Sequence, residues 1–198
     1  MRAPLVGLLV LAGLPWPAGA QTPGGTVAAL IGYDSMMDPD AVLEDGGLGL
    51  DMTVDWFVAS RWQVGGGFGL KFGPVGCLTA LGSGSSGGGC GSAIDLFTIL
   101  VHPRFWPVPI ADGSPIGVFV GSRLGVAHRV KDGGSAWGVP LGAELGAAVP
   151  VSKHVHILIT GFVERIFFEQ EFDRIGDPDQ TATRAGVRIG IGSLFGLH

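Results

Sequence analysis

The chain has 198 residues, of which 46 % are apolar, 15 % are charged and 36 are Gly, and its formal net charge is −5. The apolar content excludes a disordered chain, the irregular glycine spacing excludes collagen, and the acidic balance excludes the basic surface that nucleic-acid binding requires. A single domain is expected at this length.

The first 20 residues have the features of a secretory signal peptide. Arg2 supplies a positive start, residues 5–14 are an apolar run, and residues 18–20 (Ala-Gly-Ala) match the cleavage pattern of small residues. A membrane anchor is the alternative, but a spanning helix needs about 20 apolar residues and this run is much shorter. We therefore assign residues 1–20 to a signal peptide and residues 21–198 to an exported domain.

The exported domain divides into stretches in which apolar residues alternate with small or polar residues, the period-two pattern of β-strands. In the last stretch, Val187, Ile189 and Ile191 alternate with Arg188 and Gly190. The predicted strands are 26–34, 47–58, 62–73, 94–105, 116–128, 137–149, 155–167 and 184–197. Their lengths suit tilted membrane strands of about 9–11 residues better than soluble strands of about 5–6. An even number of antiparallel strands can close into a barrel in which every backbone group is paired.

The fourth stretch, 94–105, is the one whose two faces the pattern separates least clearly. The interpretation that we favour has Phe97, Ile99, Val101 and Phe105 facing outward. Thr98, His102 and Arg104 then face inward.

One face of the predicted strands is bulky and apolar, whereas the other combines Gly with charges of both signs. The predicted luminal charge network consists of Asp51, Asp55, Lys71, Arg123, Glu144, Glu164, Arg184 and Arg188. We expect pairs between adjacent strands, such as Arg123 with Glu144 and Glu164 with Arg188. Unpaired charges would be very costly in a dry core, but paired charges can fill the narrow interior of an eight-stranded barrel. The pattern therefore predicts an apolar exterior in contact with lipid and a filled polar lumen instead of an open pore.

Aromatic residues cluster near the ends of the predicted strands, as in the girdles of membrane barrels. The predicted girdle residues are Tyr33, Trp56, Trp62, Phe72, Trp106, Trp137, Phe167 and Phe195. The connections at one end are short, and those at the other end are the longer loops 35–46, 74–93, 129–136 and 168–183. Short turns face the periplasm in such barrels, so we expect both termini there and the long loops outside, available to a cell-surface partner.

In these features the chain resembles the small OmpA/OmpX-type eight-stranded outer-membrane barrels. The C-terminus is similar to the assembly signal of that family at Gly192, Phe195 and Leu197, although it ends in His198 and not in Phe. The resemblance implies an all-β, eight-stranded antiparallel up-and-down transmembrane barrel in the outer membrane of a Gram-negative-type cell. It also implies outer-membrane lipid and the barrel-assembly machinery as partners, and a structural or interaction role at the cell surface.

Cys77 and Cys90 flank a Gly- and Ser-rich segment of the loop 74–93. Two cysteines in an exported chain favour a disulfide, with free thiols or a metal site as the alternatives. Acidic residues in the loops 35–46 and 168–183 could bind Ca²⁺ or Mg²⁺, but neither loop has an EF-hand pattern, so solvated loops are favoured. The sequence thus predicts neither a metal site nor a cofactor.

Two other functions deserve comparison with the structural or interaction role. An outer-leaflet enzyme that modifies lipid A, as a deacylase or acyltransferase, would need a Ser, a His and an acid near the outer rim. His128, with Ser135 and Glu164, is the available set. A soluble exported barrel that binds a ligand would instead have a hollow apolar interior.

Overall fold

The computed structural model describes residues 24–37, 45–73, 94–109, 115–131, 134–169 and 181–195. They form one closed antiparallel barrel in which each strand pairs with the next and the last pairs with the first. The strands are β1 (Gly25–Met37), β2 (Asp45–Ala59), β3 (Trp62–Phe72), β4 (Ile94–Val108), β5 (Gly117–Lys131), β6 (Gly134–Pro150), β7 (Val155–Phe168) and β8 (Thr181–Phe195). The predicted eight-stranded up-and-down barrel is therefore confirmed.

The observed strands mostly extend beyond the predicted ones at the end where the long connections lie. The predicted loop 129–136 is wrong for most of its length, because β5 continues to Lys131 and pairs with Gly134 at the start of β6. Backbone pairing continues there because it satisfies N–H and C=O groups even where the residues are not apolar. Across the described ranges, the structure contains no helix of the length and apolarity needed to cross a membrane.

The strand register determines how strongly the strands tilt. The line of paired residues that starts at Val27 on β1 passes once around the barrel and returns to β1 at Met37, ten residues further along. The intermediate residues are Val54, Gly66, Val101, Leu124, Leu141, Arg165 and Thr183. Eight strands with this stagger tilt by about 40° and enclose an interior that side chains can fill.

The distribution of apolar side chains is the reverse of that in a soluble protein. Among the described residues, 31 large hydrophobic side chains are exposed, and 14 apolar residues are buried. Leu145, Val187 and Ile191 are each about 60 % exposed, whereas the neighbouring Glu144 and Arg188 are buried. Exposed apolar surface of this extent needs an apolar environment around it.

Glycines on the luminal face lie opposite the bulky luminal side chains of the next strand. Gly65 pairs with Asp55, and Gly186 pairs with Asp34. A Cβ atom on Gly65 would overlap the carboxylate of Asp55, and one on Gly186 would overlap Asp34 and lie 2.8 Å from the ring of Phe162. These glycines thus provide space for charges inside a narrow barrel.

Candidate functional site: the charged lumen and the outer wall

The lumen contains ten buried charged residues whose signs balance. Five are acidic and five are basic among the described residues: Asp34, Asp51, Asp55, Glu144, Glu164, Lys71, Arg104, Arg123, Arg184 and Arg188. All eight residues predicted for the luminal network are buried there. Two members were not included in that set, namely Asp34 and Arg104. Period-two alternation already placed Arg104 inward, and it indicates the same for Asp34, which follows outward-facing Tyr33.

Six of these residues form a closed circuit of alternating charge, which we call the luminal ring. Its members, in order of contact, are Arg123, Asp51, Arg188, Asp34, Arg184 and Glu164. Each guanidinium lies between two carboxylates and each carboxylate between two guanidiniums. This arrangement neutralises every charge locally, which a buried charge requires.

Asp34 and Glu164 make the shortest contacts of the luminal ring. The Arg184 Nη2–Asp34 Oδ2 distance is 2.6 Å and the Arg184 Nη1–Glu164 Oε1 distance is 2.8 Å. Arg188 also donates to both oxygens of Asp34, with an Nη2–Oδ2 distance of 2.7 Å. The expected pairing of Glu164 with Arg188 is replaced by pairs of Glu164 with Arg184 and Arg123, since Glu164 lies directly opposite Arg184.

An aromatic ring lies among the three cations of the luminal ring. The guanidinium carbons of Arg123, Arg184 and Arg188 lie 4.2, 5.1 and 5.2 Å from the ring centroid of Phe162. Cation–π attraction partly compensates for placing three positive groups close together. Phe162 therefore fixes the positions of the guanidiniums as well as filling the lumen.

A second group of charges, the lower cluster, lies nearer the short-turn end, where β1 begins and β8 ends. It consists of Asp55, His102, Arg104 and Glu144. Arg104 donates to Glu144 at 2.5 Å and to Asp55 at 2.8 Å. Arg123 approaches Glu144 at 3.7 Å, as expected from the sequence, and thereby joins this cluster to the luminal ring.

A small cavity of ≈ 10 Å³ lies between the lower cluster and the luminal ring, with Asp51, His102 and Arg104 among its lining residues. A space of this size has room for about one water molecule. The hollow apolar interior expected of a ligand-binding barrel is thus contradicted by the charged, filled lumen.

Lys71 lies apart from both groups. Its ammonium group is buried and donates to Asp95 at 3.1 Å, near the long-loop end of the barrel. Asp95 was not anticipated from the sequence. It approaches Lys71 because the register shifts between Lys71 and Phe72, where β3 pairs with β4.

Apolar clusters close the charged lumen at both ends. The short-turn cluster contains Ala28, Leu30, Trp106, Phe119, Ala148 and Leu158. The long-loop cluster contains Met36, Leu96, Ala127, Ile166 and Ala182. The luminal ring and the lower cluster therefore lie between two groups of apolar side chains along the barrel axis.

Trp106 is the one predicted girdle residue that the structure contradicts. It is 1 % exposed and faces the lumen, since it has the same parity on β4 as Arg104. Its indole N–H donates to Gln63 at 3.1 Å, and Gln63 donates to Thr26 at 3.0 Å. Period-two alternation along β4 indicates that Trp106 faces the lumen, whereas its closeness to a strand end suggests a place in the outer aromatic girdle.

The remaining predicted girdle residues lie on the outer wall near its two ends. Trp56 packs edge-on against Phe195, and Trp62 packs against Phe105, at the short-turn end. The residues at the long-loop end are Tyr33, Phe72, Trp137 and Phe167. Phe72 is the least exposed of these and is half-buried. The register and tilt separate the two belts by about 25 Å along the axis, the height of the apolar band of outer-membrane barrels.

The residues proposed for an enzyme do not come together. His128 packs against Trp137 on the outer wall, with a centroid distance of 4.5 Å, and Ser135 is exposed on the same side. Glu164 faces the lumen, where it binds Arg123 and Arg184. The barrel wall therefore lies between the acid and the other two residues.

Several predicted features fall on residues that the structure does not describe. They are Cys77, Cys90, Leu197, residues 1–20 and most of the acidic residues of the loops 35–46 and 168–183. Of the predicted assembly signal, Gly192 lies on the luminal face opposite His156, and Phe195 is on the outer wall. The described residues contain no group of three or more His, Cys, Asp or Glu side chains suited to a metal ion.

Comparisons with known proteins place the fold. Neither a protein-family model nor a curated protein sequence matches the chain. Among solved structures, Neisserial surface protein A is similar with a TM-score of 0.59 and 12 % identity, over 86 % of this chain and 97 % of that one. The N-terminal barrel domain of Pseudomonas aeruginosa OprF gives a TM-score of 0.49 and 9 % identity, over 87 % of this chain and 99 % of that domain.

Yersinia pestis Ail gives a TM-score of 0.47 and 14 % identity, over 87 % of this chain and 99 % of that one. At these identities the likeness concerns the fold. The closed barrel, its apolar exterior and its likeness to Neisserial surface protein A agree with one another. The chain has the fold of the small eight-stranded outer-membrane barrels that its sequence pattern resembles.

Proposed function

We propose that this protein is an integral outer-membrane barrel with a closed lumen, and that its role at the cell surface is structural or one of interaction through its long loops. The observation that carries the proposal is the reversed polarity of the wall. Thirty-one large hydrophobic side chains of the described residues are exposed, and ten charged residues are buried in the lumen. Such a surface is stable in a bilayer and would aggregate in water.

The closed lumen argues against a transport role for the barrel interior. An ion crossing it would have to pass the apolar cluster around Trp106 and Phe119, then the luminal ring, then the apolar cluster around Leu96 and Ile166. The guanidiniums of the luminal ring are held by carboxylates on several strands, so these three cations are not free to move with an ion. The proposed activity therefore belongs to the outer surface and to the loops.

The orientation of the barrel follows the usual relation between turn length and side of the membrane. The two-residue connection Ser60–Arg61 and both strand termini, Gly25 and Phe195, lie at one end. Short turns are periplasmic in outer-membrane barrels, which gives periplasmic termini and exposes the long loops to the outside. We also propose that residues 1–20 are a cleaved signal peptide and that the barrel-assembly machinery inserts the barrel into the outer membrane.

Cell fractionation combined with electrophoresis tests the proposal. We expect the native protein in the outer-membrane fraction, and we expect it to migrate differently on a denaturing gel before and after boiling. In planar bilayers the folded protein should give no stepwise current. Recovery of folded protein from the soluble periplasm would contradict the membrane assignment, and stepwise conductance would contradict the closed lumen.

A further inference from the structure

Arg165 is a charged residue on the apolar side of the barrel wall. It is exposed, and of the strand residues whose exposure the structure describes it is the only exposed Asp, Glu, Lys or Arg. The other exposed charged residues, Arg61, Lys153 and Glu169, lie in connections or directly after a strand. A charge on a lipid-facing wall is costly unless it has a role or reaches the interface.

The position of Arg165 lets its side chain reach the interface at the long-loop end. It lies two residues before Phe167, an exposed member of the aromatic belt at that end. Its guanidinium carbon is 5.8 Å from the ring centroid of Phe167, and its Nη2 donates to the Thr181 hydroxyl at 3.0 Å. These contacts direct the guanidinium of Arg165 along the wall toward the aromatic residues at the long-loop end, as arginine side chains near membrane interfaces do.

Within the part of the chain that the structure describes, the guanidinium of Arg165 has donors left for a ligand. Arg165 has five N–H donors, of which the contact with Thr181 uses one, and no ion pair joins it to a described carboxylate. The nearest luminal acid in sequence, Glu164, lies on the opposite side of the wall and binds other arginines. Arginine binds phosphate through two parallel N–H donors, and anionic phosphates are the groups that lipids present at this depth.

We infer that Arg165, positioned by Thr181, binds the phosphate of an anionic lipid headgroup at the long-loop interface. The inference rests on the proposed membrane location of the barrel. Phe167 supports the guanidinium from one side, and Leu141 and Thr183, its partners across the sheet, contribute the adjoining wall. A headgroup held there would place its acyl chains on the exposed apolar side chains below.

Native mass spectrometry of the detergent-solubilised barrel tests this site. The probes are phosphatidic acid and phosphatidylcholine with identical acyl chains, offered to the wild type and to R165L, R165K and R61L. We expect the wild type to retain phosphatidic acid about tenfold better than phosphatidylcholine, since a charge-assisted hydrogen bond contributes about that factor or more. R165L should lose this preference, R165K should keep part of it, and R61L should keep all of it because Arg61 lies at the opposite end.

The outcomes separate this inference from the proposed function. Insertion of every variant into phosphatidylcholine vesicles, with heat-modifiable migration, supports the membrane barrel independently of Arg165. An unchanged preference in R165L would overturn the phosphate site, as would an equal loss in R61L. Inorganic phosphate should not compete, and competition by it would show an ion site instead of a lipid site. Failure of the wild type to insert would count against the proposed function itself.

Discussion

Glu164 and Arg165 are consecutive residues of β7 that meet opposite environments. Glu164 is 1 % exposed and is bound by Arg123 and Arg184, whereas Arg165 is exposed on the outer wall beside Phe167. A strand directs successive side chains to opposite faces, so one segment serves both the charged lumen and the apolar wall. The lumen tolerates charges because they pair with one another, whereas an apolar wall provides no opposite charge to compensate for a charged side chain.

The largest expected effect comes from removing a cation of the luminal ring. R184L would leave Asp34 and Glu164 without one of their arginines inside a dry lumen. Because an uncompensated buried charge is expensive, we expect the free energy of unfolding to fall by about 3–5 kcal/mol. Denaturant unfolding in phospholipid vesicles measures this loss. R165L is the matched control on the outer wall, and its free energy of unfolding should change by no more than about 0.5 kcal/mol. Similar losses in R184L and R165L would contradict the claim that luminal charges depend on their pairing.

Coupling within the lower cluster should be the next largest effect. R104L and E144L each leave one buried charge of a close pair unmatched. The double variant removes both charges, so its loss should be smaller than the sum of the single losses by about 0.5–3 kcal/mol. The same unfolding measurement on all four proteins gives the coupling. Strict additivity would mean that Arg104 and Glu144 do not act as a pair.

Two glycines on opposite faces of the wall differ in the space around them, and alanine at each position tests how closely the lumen is packed. An alanine at Gly65 would overlap the carboxylate of Asp55 in the lumen, and we expect a loss of about 1–3 kcal/mol from overpacking. Gly161 faces outward with no atom within 4 Å of an added Cβ. G161A should therefore raise stability by about 0.5–1 kcal/mol, because alanine has less backbone freedom to lose in a strand. Equal effects of G65A and G161A would indicate that the lumen is not closely packed.

Substitution of the luminal Trp106 should lower the free energy of unfolding by less than R184L does. W106F removes the N–H that Gln63 accepts in the buried lumen, and we expect a loss of about 1–2 kcal/mol. W137F is the exposed counterpart on the wall, with an expected change within about 0.5 kcal/mol. In variants that retain a single tryptophan, brominated lipid should quench Trp137 and leave Trp106 bright. Strong quenching of Trp106 would place it in the girdle, as its location near a strand end first suggested.

The sequence predicts the barrel and its polarity because both depend on local alternation. All eight strands, the inward placement of His102 and Arg104, and the eight network charges follow from the period of two. Asp34 and Trp106 also obey that period. For Trp106, closeness to a strand end points to the girdle, and parity gives the observed position.

The contacts inside the lumen could not be predicted in the same way. Glu164 binds Arg184 and Arg123, and Arg188 binds Asp34 and Asp51. Which charges meet depends on the ten-residue stagger and on the register shifts, such as the one beside Lys71 that brings Asp95 to it. The stagger and the register shifts are properties of the closed sheet as a whole, and no short sequence pattern indicates them.

The most direct test of the account asks which face of the wall touches lipid. Methyl-labelled protein in nanodiscs can be examined for nuclear Overhauser effects between its side-chain methyl groups and the lipid acyl chains, with no substitution needed. We expect contacts from Ile159, Ile189 and Ile191, which are exposed, and none from Leu158 and Ile166, which are buried. Acyl-chain contacts from Leu158 and Ile166 as strong as those from Ile159 would contradict the reversed polarity on which the proposed function depends.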